Sequence, residues 1–433
     1  MSLLLNHEKS AICTDSRLNL FSVPPTLAAF ESIEDVKVYP VTALSAGAPV
    51  SFVINNLNVN TYLYLGDSYF VIRAKLRRLD GSVPYGVDAT SKAKTYDDVT
   101  IANNVASALI KNISVMANET VVSTYENFFL RNALDNLLHT PKNTLNSVVK
   151  WSQHLYGRGN SAQSFGTDSW NTRHMLTHKG DEFEIIVPLN VDLGSTNKFF
   201  PPGTNVKITL VLNEPEFYLV KKQGESKEHR LVIDDIYLET TKAVVIPSIV
   251  EAHHALFKKQ DAIFPMRRVR TSEKVIPVDT TSTEFDVFLP GQVPYNITLV
   301  FLPSTTLVGD PLTEPLFFER HNLSYANLRS DTLNLEYNFD NLRSAYVKTV
   351  IKLNEKDVEL SYQDYNKGGL FYVFFDLSNG TPSNVLRSVY RTNLRLSLQW
   401  KKPTETALTM LMLSESVGHL EVNGNNETTL VLK

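Results

Sequence analysis

Few side chains in the sequence have the spacing that catalysis or metal binding requires. Glu251 precedes His253 and His254, but neighbouring side chains on a helix point about 100° apart and are poorly placed to bind one ion. Asp234 and Asp235 are adjacent in an expected strand, where consecutive side chains face opposite sides, so they would not share a glycosidic substrate. The sequence contains no phosphate-binding loop, serine elbow, zinc-protease motif or dinucleotide-binding motif. We therefore expect neither an enzyme nor a bound cofactor or metal.

The densest basic segment is a run of three arginines. Arg267, Arg268 and Arg270 lie within four positions, with Lys274 shortly after them. We take the three arginines as candidates for contact with another subunit or with nucleic acid, and an ordinary solvated loop is the alternative. The whole chain has 42 Lys and Arg against 46 Asp and Glu, a net charge of −4, so it offers no general basic field for a nucleic-acid backbone. The balance argues against dedicated DNA or RNA recognition.

The composition is that of a folded protein. Hydrophobic residues make up 43% and charged residues 20% of the 433 residues, which is too apolar and too weakly charged for a disordered chain. Cys13 is the single cysteine, and the first residues lack the apolar run of a secretory signal, so we expect synthesis in a reducing compartment. No stretch approaches the roughly 18 consecutive apolar residues of a membrane span. We expect a soluble protein.

Alternation of apolar and polar residues dominates the chain and predicts strands. Phe70, Ile72 and Leu76 alternate with polar neighbours in 69–79, and the same period of two recurs in 206–212 and in 394–400. Alternation of this kind is typical of sandwich strands, which have one buried and one solvated face. The fold class is therefore predicted to be all-β with a few short helices.

Helical spacing is confined to short segments. Ser123 followed by Glu126 resembles a capping box, apolar residues then recur at three- and four-residue steps, and Pro141 ends the run, so a helix is predicted over about 124–139. A second helix is predicted over 248–259, and a weaker pattern lies within 142–156.

Composition also suggests where the domains divide. Residues 221–228 include no large apolar side chain and separate two strand-rich parts, so we predict a linker there. The predicted organisation is an N-terminal arm at 1–35, a first sandwich at 36–220 containing the helix, and a second sandwich at 229–433. Two similar β-sandwiches in tandem account for the pattern most simply.

Several segments together resemble the hexon-like major capsid proteins of Polinton (Maverick) elements and adintoviruses. The segment 18–26, Leu-Asn-Leu-Phe-Ser-Val-Pro-Pro-Thr, carries the most specific part of the resemblance. The supporting segments are 38–40, 49–52, 69–81, 101–104, 113–116 with Asn118, and 125–138. The resemblance covers about residues 18–140 by sequence, and the remainder by length and strand pattern.

The resemblance implies a double jelly roll, that is, two eight-stranded sandwiches in one chain. It further implies a homotrimer that acts as a pseudo-hexameric capsomer in the icosahedral capsid of a virion, with synthesis in the host cytoplasm. The implied partners are copies of the chain itself, a single-jelly-roll vertex (penton) protein and minor capsid proteins, and the shell would enclose a DNA genome without reading its sequence.

Two other classes of function remain open from the sequence. A two-domain β-sandwich attachment protein would bind a receptor or glycan through an aromatic-lined site. A jelly-roll hydrolase would need two carboxylates about 5–10 Å apart in one cleft. The main hypothesis is the structural capsid subunit, in which strand residues such as Leu394, Leu396 and Leu398 build the core and the N-terminal arm bridges neighbouring capsomers.

Overall fold

Strands form most of the computed structural model, which describes residues 28–44, 47–156, 165–287, 293–353, 360–378 and 392–431 and the single residues 18, 20 and 23. The strands are β1 Phe30–Val38, β2 Val50–Ile54, β3 Thr61–Arg78, β4 Tyr85–Val87, β5 Lys94–Tyr96, β6 Val99–Ile101, β7 Ile110–Ala117, β8 Thr120–Tyr125, β9 Phe183–Pro188, β10 Val206–Leu212, β11 Leu219–Lys221, β12 His229–Val245, β13 Ala262–Ile276, β14 Ser282–Val287, β15 Asn296–Pro303, β16 Leu323–Arg329, β17 Asn334–Asn338, β18 Val373–Asp376, β19 Leu394–Trp400, β20 Leu408–Val422 and β21 Thr428–Val431.

The helices are short and lie between strands. They are α1 Val105–Ala108, α2 Phe128–Leu138, α3 Lys142–Thr144, α4 Lys150–Ser152, α5 Asp168–Thr177, α6 Pro215–Tyr218, α7 Pro247–Phe257, α8 Ser304–Val308, α9 Leu342–Leu353 and α10 Tyr362–Lys367, with a π-helical turn at Leu145–Val149 and a 3₁₀ turn at Asp192–Ser195. Among the described residues, no helix combines the length and the apolar character needed to cross a membrane.

The first sandwich consists of two four-stranded antiparallel sheets. One sheet has the order β1-β12-β3-β9 and the other β2-β10-β7-β8. The sheets pack face to face, since the rings of Phe52 on β2 and Phe70 on β3 lie 5.2 Å apart. Phe70, Ile72 and Leu76, the residues predicted for the core from alternation, are all fully buried. Their strand therefore has the predicted orientation.

The second sandwich repeats this arrangement. One sheet has the order β13-β20-β15-β18 with β21 beside β20, and the other has the order β14-β19-β16-β17. Phe301 on β15 and Trp400 on β19 make an edge-to-face contact at 6.4 Å between the two sheets. Leu394, Leu396 and Leu398 are buried in the core, as their alternation predicts. The prediction of two tandem sandwiches with few helices is confirmed.

The strand pairing places the change from one sandwich to the other later than the predicted linker. β12 at His229–Val245 was predicted to open the second sandwich, but it pairs with β1 and β3 and is therefore part of the first. The polar run 221–228 is a surface connection within the first sandwich, because Lys227 donates a hydrogen bond to the buried Asp97 at 2.6 Å. The second sandwich begins at β13, after helix α7.

Two boundaries near the start of the chain also differ from the prediction. The predicted arm 1–35 overlaps β1, which begins at Phe30 and pairs with β12. The predicted helix at about 124–139 is α2, which begins at Phe128, because Ser123 still belongs to β8 and pairs with Val115 of β7. Ser123 is therefore a paired strand residue and not the predicted N-cap of the helix. The predicted helix at 248–259 is confirmed as α7.

Candidate functional site

The arginine segment lies where the two sandwiches meet. Strand β13, which carries the arginines, packs against helix α2 and the 3₁₀ turn Asp192–Ser195 of the first sandwich and pairs with β20 of the second. We call the charged cluster at this place the ionic junction. Its members are Arg131, Asp135, Asp192, Arg267, Arg268 and Glu415.

Arg131 forms the half of the ionic junction that belongs to the first sandwich. Its side chain is completely buried on α2, and its Nη1 lies 2.8 Å from Oδ1 of Asp192, which is equally buried. The same Nη1 contacts the hydroxyl of Tyr125, which in turn donates to Asp192. One helical turn further on, Asp135 lies 3.5 Å from Nε of Arg131. Burial opposes the charged guanidinium, but Tyr125, Asp192 and Asp135 together raise the pKa of Arg131.

Arg267 connects the two sandwiches. Its Nη2 donates to Oδ2 of Asp135 on α2 at 2.8 Å, and its Nη1 lies 3.5 Å from Oε1 of Glu415 on β20. Its backbone N–H donates to Oγ of Ser195 at 2.8 Å. Burial disfavours its charge, yet the negative charges of Asp135 and then Glu415 raise the pKa of Arg267. The guanidinium therefore stays charged and joins one carboxylate from each sandwich.

The next residues of β13 hold the 3₁₀ turn. The N–H of Val269 donates to Oδ1 of Asp192 at 3.2 Å, and Nε of Arg268 lies 3.7 Å from Oδ2 of the same carboxylate. Arg270 is partly buried, and burial, followed by the nearby charge of Arg268, lowers its pKa. The arginine segment thus contacts acidic groups of its own chain, rather than forming a fully solvated loop.

Sequence reasoning found the arginines but not their partners. Asp135 and Glu415 are distant in the chain from Arg267, by 132 and 148 positions. One signal was available for Glu415, because it follows the apolar run of β20 and stands where a buried residue is expected. Another was the four-residue spacing of Arg131 and Asp135, which places both on one side of α2.

A group of potential metal ligands overlaps the ionic junction. Asp135, His139 and Glu415 offer ligand atoms that lie within 4.8 Å of one another. Nε2 of His139 is 2.8 Å from Oε1 of Glu415, so the two side chains are already hydrogen bonded. The guanidinium of Arg267 contacts both carboxylates and supplies the positive charge that a cation would bring. The set therefore fits an internal ion-pair network.

The ionic junction also contains two neighbouring carboxylates, the arrangement that a hydrolase would need. Asp135 and Glu415 are the close carboxylates that a hydrolase would need, but both are buried and bound by Arg267. Asp234, which the sequence placed beside Asp235, forms an ion pair with Lys75 at 2.8 Å. His253 accepts from or donates to the hydroxyl of Tyr62 at 2.8 Å, away from the ionic junction. These residues therefore have structural partners.

Further polar contacts join the sandwiches. Nη1 of Arg173 on α5 lies 2.6 Å from Oε1 of Glu314, whose Oε2 accepts from the N–H of Asn103 at 2.8 Å. At another place, Thr120 donates to the carbonyl of Thr428 at 2.7 Å, which joins β8 to β21. The ionic junction is thus one of several contacts that fix the sandwiches against each other.

A separate buried carboxylate anchors the surface connection 221–228. Asp97 accepts two hydrogen bonds from Arg78, at 2.7 and 2.8 Å, and one from Lys227 at 2.6 Å. Nε2 of His229 lies 2.9 Å from the same carboxylate. Burial alone would raise the pKa of Asp97, but the hydrogen bonds from Arg78, Lys227 and His229 hold it well below its usual range.

Acid should therefore weaken the first sandwich through Asp97. A carboxyl with a lowered folded-state pKa stabilises the protein above its unfolded pKa of about 3.9 and loses that contribution as the pH falls further. We expect Asp97→Asn to lower the free energy of unfolding by about 1.5–3 kcal/mol near neutral pH, with the difference from wild type shrinking below about pH 4. Urea unfolding over this pH range measures it. Asp98→Asn, which removes an exposed partner of Lys222, is the matched control with little expected effect, and a pH-independent difference for Asp97→Asn would contradict the assignment.

Comparison with known proteins gives matches among solved structures. Neither a family model nor a curated protein sequence matches the chain. A chain of the Sputnik virophage aligns over 100% of this chain and 95% of its own length, with a TM-score of 0.66 and 12% identity. The Faustovirus major capsid protein aligns over 95% of this chain and 92% of its own, with a TM-score of 0.64 and 10% identity. The mavirus major capsid protein aligns over 100% and 96%, with a TM-score of 0.58 and 10% identity. This chain therefore has the double jelly-roll fold seen in viral major capsid proteins.

Proposed function

We propose that the protein is the major capsid protein of a viral shell and acts as a structural subunit without catalysis. The observation that carries the proposal is the extent of the structural likeness: viral major capsid proteins match both sandwiches together, over at least 95% of this chain. The lack of a recognisable catalytic motif in the sequence supports a structural role.

We further propose that three copies form the building block. Two sandwiches per chain give six around a threefold axis, which lets a closed homotrimer occupy a pseudo-hexameric lattice position. Large apolar side chains on the surface are suited to contacts between copies. Those most exposed among the described residues away from the N-terminal segment include Leu57, Val59, Val308, Trp151 and Met175.

In this proposal the arginine segment acts within the subunit. Arg267 and Arg268 contact carboxylates of the first sandwich while belonging to the second, so they set the orientation of one sandwich relative to the other. A trimer with pseudo-sixfold symmetry requires that orientation to be the same in every copy. The predicted contact of Arg267, Arg268 and Arg270 with another subunit or with nucleic acid stays a prediction beside this role within the chain.

The finer assignment follows the sequence resemblance. We propose a shell of the Polinton or adintovirus type, completed by a single-jelly-roll vertex protein and minor capsid proteins and enclosing DNA without sequence recognition. The protein would be made in the host cytoplasm and function in the virion capsid. These partners require their own tests by co-expression.

Self-assembly of the purified full-length protein tests the proposal. Light scattering should give a mass of about three times 48.7 kDa, and negative-stain microscopy should show a particle with a pseudo-hexagonal outline. A chain that stays monomeric across salt and pH would contradict the proposal. It would favour the two-domain receptor- or glycan-binding attachment protein, which glycan screening would then examine.

A further inference from the structure

A large apolar groove lies beside the start of β1. It has a volume of about 850 Å³ and is lined by residues of both sandwiches and of helix α7, including Phe30, Phe199, Ile249, Leu256 and Ile263. This volume lies within the roughly 300–1,000 Å³ of typical ligand sites and is sufficient for a short extended peptide.

The walls of the groove are mostly aromatic and aliphatic. The rings of Phe30 and Phe199 are 5.4 Å apart on one side. Leu256 and Ile263 are 48% and 49% exposed, although they are large aliphatic side chains that gain from burial. Polar groups stand at the edges, where Lys198 donates to the carbonyl of Ile263 at 2.7 Å. The groove therefore suits an apolar segment with a polar backbone.

The groove lies where the N-terminal segment joins the described fold. Ala29 and Phe30 line it, and residues 1–28 precede them in the chain. The segment contains apolar side chains that its own chain does not cover: Leu18, Leu20 and Val23 are 72%, 76% and 88% exposed. Each molecule thus presents both an uncovered apolar segment and an uncovered apolar groove.

We propose that the groove binds the N-terminal segment of a second copy of this chain, with Leu18 and Leu20 as the side chains that enter it. Leu20 lies nine positions before Ala29, and such a length spans at most about 30 Å when extended, enough to cross to an adjacent molecule. Exchange between copies covers the segment and the groove of every subunit at once. The inference rests on the proposed self-assembly and adds to it the surface that links one copy to the next.

A disulfide cross-link tests the proposal in the full-length protein. Cys13 is the single cysteine, so Cys13→Ser gives a background without thiols. In this background, Leu20→Cys is combined with Gln260→Cys, which lies in the groove lining and is exposed. The control combines Leu20→Cys with Glu405→Cys. The C-terminal end of β20 lies at the groove, where Val422 pairs with Ala262, whereas the exposed Glu405 lies just before the N-terminal end of β20. Both pairs replace exposed side chains, so folding should be unaffected.

Covalent multimers are expected after mild oxidation of the assembled protein carrying the pair 20 and 260. They should form the majority of the chains on a non-reducing gel, contain the 20–260 peptide by mass spectrometry, and be at least tenfold rarer in the control. A 20–260 disulfide within single chains would overturn the proposal and show that the groove binds the segment of its own chain. A lack of any 20–260 link would also overturn it. If wild type assembles but the link fails, only this inference is lost; if wild type stays monomeric, the proposed function fails with it.

Discussion

Replacing Leu396 with aspartate is expected to remove the soluble folded chain. Leu396 is 1% exposed in the middle of β19, where it lies between Phe285 of β14 and Leu328 of β16. Removing a buried leucine side chain alone costs about 2–5 kcal/mol, and the new carboxylate would be buried without a partner. Since a domain is stable by only about 5–15 kcal/mol, the second sandwich should unfold. Soluble yield and thermal unfolding measure the loss.

The matched control for this substitution lies in the same strand. Gln399 is exposed, so Gln399→Asp introduces the same charge on the solvent face of β19 and should change the free energy of unfolding by no more than about 0.5 kcal/mol. If Leu396→Asp unfolded at the wild-type temperature and still assembled, the orientation of β19 would be wrong.

Arg131→Met should destabilise the first sandwich by about 3–5 kcal/mol, because removing one partner of a buried ion pair leaves the other charge with weaker compensation, here from Arg268 at 3.7 Å. The charge left behind is Asp192, which is fully buried and lies 2.8 Å from the guanidinium. Methionine keeps much of the apolar length of the side chain, so loss of packing volume is small. Urea unfolding of the purified variant gives the change in free energy.

A second variant separates the lost charge from the lost side chain. Arg131→Met with Asp192→Asn removes both charges and should recover part of the stability, since the amide oxygen can still accept from the N–H of Val269. An exposed pair provides the comparison: Arg395 and Asp286 are 51% and 71% exposed, so Arg395→Met should cost no more than about 1 kcal/mol. Equal losses for Arg131→Met and Arg395→Met would show that the ionic junction contributes no special stability.

The strands were predictable because their signal is local. The alternation around Ile72 and Leu398 is present within a few residues and directly determines which side chains are buried. The residues of a strand do not show which other strand it pairs with. β12 follows a polar surface connection and was therefore assigned to the second sandwich, whereas its hydrogen bonds to β1 and β3 place it in the first. Any exposed loop has the polar composition of a linker, so composition could not distinguish a linker between the sandwiches from a surface connection within one of them.

The ionic junction was half predictable for the same reason. Three arginines close in sequence can be recognised at once, but whether they face solvent depends on which acids the fold brings to them. Asp192 reaches Arg268 and Val269 only because the 3₁₀ turn of the first sandwich packs on β13 of the second. The start of α2 failed differently: Ser123 and Glu126 have the spacing of a helix cap, but pairing of β8 with β7 extends to Tyr125.

The pairing of β1 with β12 also has a consequence for how the chain is made. Phe30 pairs with Val245, so β1 finds its neighbour only after about two hundred further residues have been added. At about 5–20 residues per second, β1 waits roughly 10–40 s with its hydrogen-bonding groups unpaired. β13 meets a shorter delay of the same kind before β20, since Ala262 pairs with Val422, about 160 residues later. Each sandwich thus closes late in its own translation. Until it closes, the unpaired strand edges of nascent chains can associate wrongly, and the order of the strands determines how long this interval lasts.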